Sequence, residues 1–407
     1  MFRILKKDFL TRARIGVIET AHGIVETPAF VVVGTHAKVR TLDGQDLHAT
    51  STQIIIANTY HLWRTLGEKG LTEFPGLHVA MAWDGTLMTD SGGFQVFSMG
   101  AAREHGTSKV AVKSKEKPTS EFADILENVG MSQDNEPTGK GIVQITDEGV
   151  VFVENGMRYW LDAKKSIRIQ QQLGADIIVT FDEPTSPRHD YDYTKASLAR
   201  THRWAARSLK AKTSNQLLYG VVQGGSYEDL RCESAKFIGA LDFDGIAIGG
   251  SYSNSFGSTR ERTIQELDWS IPHLPEDKPR HLLGIGLIED IFAGVAAGID
   301  TFDCVVPTRE ARHGSLWTSH GRIDIKKVMY RDDKSMLDGE CACIVCAQMK
   351  IQKGALHTLF REKNPEAGRI ATLHNISFFN LLISRIRASI REGRFSEEKR
   401  RVLSANL

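Results

Sequence analysis

A chain of 407 residues is long enough for two or three average domains, or for one α/β barrel with additions. Hydrophobic residues at 41% and charged residues at 25% exclude wholesale disorder, a collagen-like chain and a small disulfide scaffold. The net charge of +1 conceals an uneven distribution: residues 309–407 carry 19 basic and 11 acidic side chains, so a positive end follows a negative body, a footprint compatible with a nucleic-acid backbone. No run of about eighteen apolar residues marks a spanning helix. The basic opening, MFRILKKDFLTRARIG, lacks the apolar stretch and cleavage site of a secretion signal. Five cysteines, three of them within six positions, fit ligand spacing in a reducing cytoplasm better than disulfides, so the expected location is cytoplasmic.

In chain order, residues 16–26 (GVIETAHGIVE) alternate enough to form a hairpin that closes one end of the fold. Short apolar runs then recur at 29–33, 53–57, 86–89, 177–181, 217–222, 245–248, 281–285 and 301–306. Most are continuous and β-rich rather than alternating, as parallel strands covered on both faces require. Helix-length segments with apolar spacing separate many of them, among them 164–173, 227–241 and 288–297. Strand–helix units repeated in this way predict a (β/α)8 barrel, with an open doubly wound sheet as the structural alternative. An excursion at about 101–160 interrupts the rhythm. Its middle is polar and rich in turn residues, which predicts an extended insertion, and 142–145 with 150–153 flank the turn TDEG as a hairpin.

The residues that follow the strands carry the chemistry. Asn58, Asp90, Asp182, Gln223, Gly249, Gly250 and Asp303 stand at or near predicted carboxyl ends, the rim where barrel enzymes place their sites. A single Asp there reads equally well as a helix cap. Three of them, with an amide and a glycine pair, predict a site that holds a polar ring.

Near the C-terminus, Cys341, Cys343 and Cys346 form C-x-C-x2-C, a knuckle that supplies three ligands of a tetrahedral Zn2+ site. Either His357 or His374 could complete it. His374 is favoured, because it opens a segment whose apolar residues Ile376, Phe379, Leu382, Ile383, Ile386 and Ile390 follow helical spacing; His357 reads more simply as a helix residue. Four protein ligands leave no open position, so the metal is expected to be structural.

Read together, several segments resemble the tRNA-guanine transglycosylase family. They are NTYHL (58–62), TDSGGFQVFS (89–98), GADIIVTFDE (174–183), VVQGG (221–225), DGIAIGG (244–250), HLLGIG (281–286) and DTFDCVVPTREARHG (300–314), followed by the knuckle and LHNI (373–376). The resemblance spans nearly the whole chain, and the ordered set is highly specific. It implies a barrel over 1–308, including the N-terminal hairpin and the insertion, and a zinc-binding subdomain with a C-terminal helix over 309–407. It also implies exchange of guanine at the wobble position of GUN-anticodon tRNAs (Asp, Asn, His, Tyr) for a 7-deazaguanine base, in queuosine formation, by a homodimer.

By the same resemblance, Asp303 is the nucleophile at ribose C1′ and Asp90 the acid/base, in a double displacement like that of retaining glycosidases. Asp182 accepts the two adjacent donors of a guanine-like ring, Gln223 and the Gly250 amide donate to its carbonyl with Gly249 alongside, Phe94 stacks, and Ser91 adds a polar contact. Arg309 and Arg312 hold the anticodon-loop backbone, an arginine fork being suited to phosphate. Lys326, Lys327, Arg385 and Arg387 are further candidates for backbone contacts. The chain departs from the family where it reads GGSYSNSFGS (249–258), without the usual Leu and Gly-Glu, and where Pro184 replaces a frequent Cys. Both changes adjoin the pocket for the 7-substituent and leave queuine and its aminomethyl precursor preQ1 as alternatives. The readings from other classes are a non-catalytic RNA-binding partner subunit, or a relative that modifies DNA.

Overall fold

The computed structural model describes residues 1–97, 143–187, 189–250 and 260–405. Most of the 101–160 excursion and the serines at 251, 253 and 255 lie outside the described residues. Eight parallel strands close into a barrel: β1 (Ala29–Val33), β2 (Ile54–Ala57), β3 (Thr86–Thr89), β4 (Ile177–Val179), β5 (Leu217–Val222), β6 (Gly245–Ile248), β7 (Arg280–Leu282) and β8 (Thr301–Asp303). Closure is made by β8 pairing with β1, Thr301 opposite Ala29 and Asp303 opposite Val31. The open-sheet alternative is therefore excluded.

Period-two alternation explains why the strands read as continuous apolar runs. Val31, Ile54, Ile56, Met88, Ile177, Val179, Tyr219, Val221 and Ala247 fill the interior. Their neighbours Phe30, Val32, Ile55, Leu87, Ile178, Leu218, Ile246, Leu282 and Phe302 face the outer helices. Each such side chain contributes roughly 1.5–3 kcal/mol on burial. The intervening helices are those whose spacing and caps the chain spells out. One covers Ala163–Leu173, where Asp162 accepts from the Lys165 amide at 2.7 Å and Gly174 ends the helix in the left-handed region.

The N-terminal hairpin is part of a three-stranded sheet, Phe2–Lys7, Arg14–Thr20 and Gly23–Thr27. Ile18 and Val25 enter the interior cluster, and Thr20 Oγ1 meets Thr86 Oγ1 at 3.0 Å, so this sheet closes the amino end of the barrel as expected. The TDEG hairpin forms from Gln144–Ile145 and Val150–Glu154 and gains a third strand, Met157–Leu161, that spacing alone does not announce.

Beyond β8 come a short helix (Val306–Arg312), a hairpin (Ser315–Thr318 and Gly321–Asp324) and three further helices, Lys353–Arg361, Pro365–Arg391 and Phe395–Ala405. The long helix Pro365–Arg391 lies against the barrel. Phe379 packs on Phe30 with ring centroids 5.2 Å apart, Asn380 Nδ2 donates to Thr50 O at 2.9 Å, and Arg369 Nε donates to Asp46 Oδ2 at 2.8 Å. Arg387, a candidate for RNA contact, instead donates to Pro28 O at 2.8 Å and is engaged by the barrel.

A buried ion pair ties the N-terminal sheet to the barrel floor. Asp300 accepts from Arg14 Nε at 3.0 Å, Arg14 Nη2 at 2.6 Å and the Arg280 amide at 2.8 Å. The two side chains are 2% and 0% exposed. Asp300→Ala strands a buried guanidinium, and we expect a loss of about 3–5 kcal/mol, measured by urea unfolding as a lower midpoint with unchanged slope.

Candidate active site and metal centre

Asp90 follows β3 directly. Asn58 caps the helix Thr59–Glu73 through its Oδ1, which accepts from the His61 amide at 2.9 Å, and its Nδ2 donates to Asp90 Oδ2 at 2.5 Å. The Thr59 amide donates to Asp90 Oδ1 at 2.8 Å and the Gly92 amide at 3.2 Å. These donors favour the charged form, yet burial dominates. Withdrawal from water, aided by the fields of Asp303 and Asp182, pushes the Asp90 carboxyl up to about 7.

Asp182 lies just beyond β4. Ser91 Oγ donates to its Oδ1 at 3.0 Å and Gln223 Nε2, from the end of β5, to its Oδ2 at 2.7 Å. Burial again outweighs those bonds and raises its pKa to about 6. Gly249, at the end of β6, sits so close to Gln223 that a Cβ would fall 2.3 Å from Nε2, which explains the glycine. Its carbonyl accepts from Arg231 Nη1 at 2.5 Å, while Arg231 Nε donates to Gly225 O at 2.8 Å and Nη2 to Glu266 Oε2 at 2.9 Å. A fully buried arginine thus joins the two glycine-bearing loops of the pocket.

Asp303 ends β8 with its side chain 17% exposed, and the Gly284 amide donates to its Oδ1 at 2.9 Å. Phe94 stands on the rim, 52% exposed, with an aromatic face open to a ligand. Arg309 and Arg312 occupy the short helix Val306–Arg312 immediately after β8, and Arg309 is exposed. The sequence-derived set of Asp90, Ser91, Asp182, Gln223 and Gly249 therefore converges, with Gly250 next in the chain and Asp303 close enough to act on Asp90 electrostatically. The motif reading placed Asn58 on the rim without a specific task and gave no role to Thr59, Arg231 or Gly284, although NTYHL and HLLGIG already contained Thr59 and Gly284.

In the C-terminal segment, Cys341, Cys343, Cys346 and His374 bring their donor atoms within 4.8 Å of one another. His374 Nδ1 lies 3.4 Å from Cys343 Sγ and 3.5 Å from Cys346 Sγ, about the ligand separation of a tetrahedral N/S metal site. Its Nε2 donates to Trp317 O at 2.7 Å, which leaves the Nδ1 lone pair for the metal. His374 does not open a helix; it lies inside Pro365–Arg391, which starts earlier because Asn364 caps it and Pro365 occupies its first turn. The rival His357 faces Ile325 O at 2.9 Å and is engaged elsewhere. The donor set could hold one metal ion.

An eight-stranded parallel barrel with convergent carboxylates on its carboxyl rim and a Cys3His cluster on its C-terminal flank defines a barrel enzyme with an accessory metal-binding segment. The family model described as Queuine tRNA-ribosyltransferase matches residues 8–124 and 123–406, and the chain belongs to that family. A protein of Archaeoglobus fulgidus, named provisionally for that activity, is 44% identical over 410 residues, 98% of each chain. The queuine tRNA-ribosyltransferases of Caldanaerobacter subterraneus subsp. tengcongensis and Thermoanaerobacter pseudethanolicus are each 39% identical, covering 99% and 98% of this chain and 96% of their own lengths.

His374→Ala is expected to abolish stoichiometric metal retention while His357→Ala keeps it, as read by elemental analysis of the purified proteins. Equal metal content in both variants would remove His374 from the ligand set.

Proposed function

We propose that the chain is a tRNA-guanine transglycosylase, a pentosyltransferase that replaces guanine at the wobble position of GUN-anticodon tRNAs (Asp, Asn, His, Tyr) with a 7-deazaguanine base. The observation that carries this reading is the pairing of Asp90 and Asp303 on one rim beside the Asp182–Gln223–Ser91 pocket. Family membership and the relatives' names support it.

Asp303 attacks ribose C1′, and the C1′–N9 bond breaks with its electron pair leaving on guanine. Asp90, whose carboxyl is pushed up to about 7 by burial, can carry a proton near neutrality and gives it to the departing ring. The ribose remains joined to Asp303 as an ester, so the RNA strand is never cut. The incoming base then yields its N9 proton to Asp90 and attacks C1′ from the vacated face, and the ester electron pair returns to Asp303. Two inversions preserve the β configuration. Asp182, when ionised, accepts both N1–H and the exocyclic amine of the base, a pattern that an adenine edge cannot satisfy. Gln223 and the Gly250 amide address the carbonyl, and Phe94 stacks on the ring. The base is withdrawn from the anticodon stack to be read in this way.

Arg309 and Arg312 bind the anticodon-loop phosphates. We divide the chain into a barrel unit, 1–308, and a zinc-binding unit, 309–407. Zn2+ held by Cys341, Cys343, Cys346 and His374 supplies structural support, and no step of the exchange passes through it. A cytoplasmic homodimer joined through the zinc-binding unit completes the reading. Among the described residues no helix is long and apolar enough to cross a membrane.

The deciding experiment incubates the protein with GUN-anticodon tRNA and labelled guanine. Wild type should incorporate label and form a covalent RNA adduct on denaturing gels; Asp303→Asn should lose both by about 10³-fold or more while tRNA affinity stays within about threefold. Turnover by Asp303→Asn would remove the nucleophile assignment. Exchange with queuine and preQ1 side by side identifies the natural base. The pH dependence has a definite sign. Protonation of Asp182 below about 6 removes an acceptor for the base, so KM for the base should rise as pH falls, roughly tenfold near pH 5.

A further inference from the structure

His281 lies on β7, where the register sets it opposite Thr301 of β8. Alternation along β8 turns Thr301 and Asp303 to the same interior face, so one ring on the neighbouring strand reaches both. It does. His281 Nδ1 is 2.9 Å from Thr301 Oγ1, and Nε2 is 3.2 Å from Asp303 Oδ1. The ring is fully buried, and Nε2 has no completed hydrogen bond, because its approach to the carboxylate is off the N–H axis. A polar ring nitrogen shut away from water without a partner needs an explanation. Catalytic contacts that are long or misaligned in the free enzyme commonly tighten once substrate is bound.

We propose that His281 is a positioning residue for Asp303, and that it selects Oδ2 as the atom that attacks ribose C1′. This rests on Asp303 being the nucleophile. A proton on Nδ1 would set an Nε2 lone pair against the carboxylate. With the Thr301 hydroxyl as donor to Nδ1, the imidazole proton instead stands on Nε2, 3.2 Å from Oδ1, and closes onto that oxygen when substrate binds. The Gly284 amide donates to that same oxygen at 2.9 Å. Among the described residues, Oδ2 accepts no hydrogen bond. Two donors on one oxygen fix the carboxylate plane and leave the lone pairs of the other for C1′.

The same pair of donors serves both halves of the exchange. As the Oδ2–C1′ bond forms and the C1′–N9 pair leaves with guanine, Oδ1 becomes the carbonyl oxygen of the ester and keeps its two N–H partners. When the incoming nitrogen attacks C1′, the Oδ2–C1′ pair returns to the carboxylate, and the donors on Oδ1 share the charge that develops. Donors aimed where charge develops act most strongly in a site withdrawn from water. His281 stays a donor throughout and gives up no proton.

The test measures kcat and KM for tRNA and for the base, together with the rate of covalent adduct formation, in the full-length, metal-loaded protein. His281→Phe should lower kcat and the adduct rate by about 10²-fold with both KM values within about twofold. His281→Gln, which can place an amide N–H near the same point, should recover at least about tenfold of that loss. Thr301→Val removes the hydroxyl that sets the proton on Nε2 with little change in shape, and should lower kcat by about tenfold with KM unchanged; it decides the matter if His281→Phe does not fold. A folded His281→Phe or Thr301→Val with wild-type kcat overturns the proposal, as does a loss of equal size in His281→Gln and His281→Phe. Asp303→Asn in parallel keeps the two claims apart: if that variant still turns over, the nucleophile assignment fails, whatever the histidine variants do.

Discussion

A carboxylate withdrawn from water at the end of a parallel strand must find donors, take up a proton, or share its field with a neighbour. Asp90 and Asp182 do some of each. Asp90 receives Asn58, the Thr59 amide and the Gly92 amide, yet its proton affinity still rises to about 7 because burial costs the anion more than those bonds return. Asp182 is held by Ser91 and Gln223 and rises only to about 6. Burial thus raises both carboxyls well above the ordinary aspartate range, so each can hold or release a proton closer to neutrality than a free side chain would.

The barrel brings these carboxyls together. Each of these strands delivers a residue at or just past its end to the same rim, so Asp90, Asp182, Gln223, Gly249 and Asp303 arrive from β3, β4, β5, β6 and β8 without a long loop having to carry them. Rigidity is added from below and behind. Arg14 and Asp300 lock the floor, and Arg231 with Glu266 fastens the loops that bear Gly225 and Gly249. The Cys3His cluster stands apart from this rim. His374 is fixed by Trp317, and its helix runs back across β1 through Phe379 and Phe30, which couples the C-terminal segment to the barrel wall.

Buried parallel strands need unbroken β-rich apolar runs, and for that reason 29–33, 86–89, 217–222 and 245–248 read directly from the chain with the boundaries found. The runs at 177–181, 281–285 and 301–306 overshoot, since Phe181, Leu283, Ile285, Cys304, Val305 and Val306 are apolar but lie past the strand ends, where the chain turns away to build the rim. The knuckle was legible because three sulfurs so near one another have few other uses, and the choice of His374 over His357 stands. The reason given for it did not hold: helical spacing counted from Ile376 hid the earlier cap at Asn364.

Composition and periodicity alone determined the strand–helix repeat, the hairpin near the amino end, the cysteine knuckle and the residue types standing at the strand ends, because each follows from local chain geometry. Whether the repeat closes into a barrel or stays an open sheet was decided by β8 pairing with β1. Which polar groups meet was settled only by closure of the barrel. The register of β7 against β8 sets His281 beside Thr301 and Asp303, the packing of one long helix turns Arg387 inward to Pro28, and Arg231 reaches two loops at once. Contacts of that kind join residues far apart in the chain, and no spacing rule encodes them, since they exist only once buried apolar surface has brought the strands together.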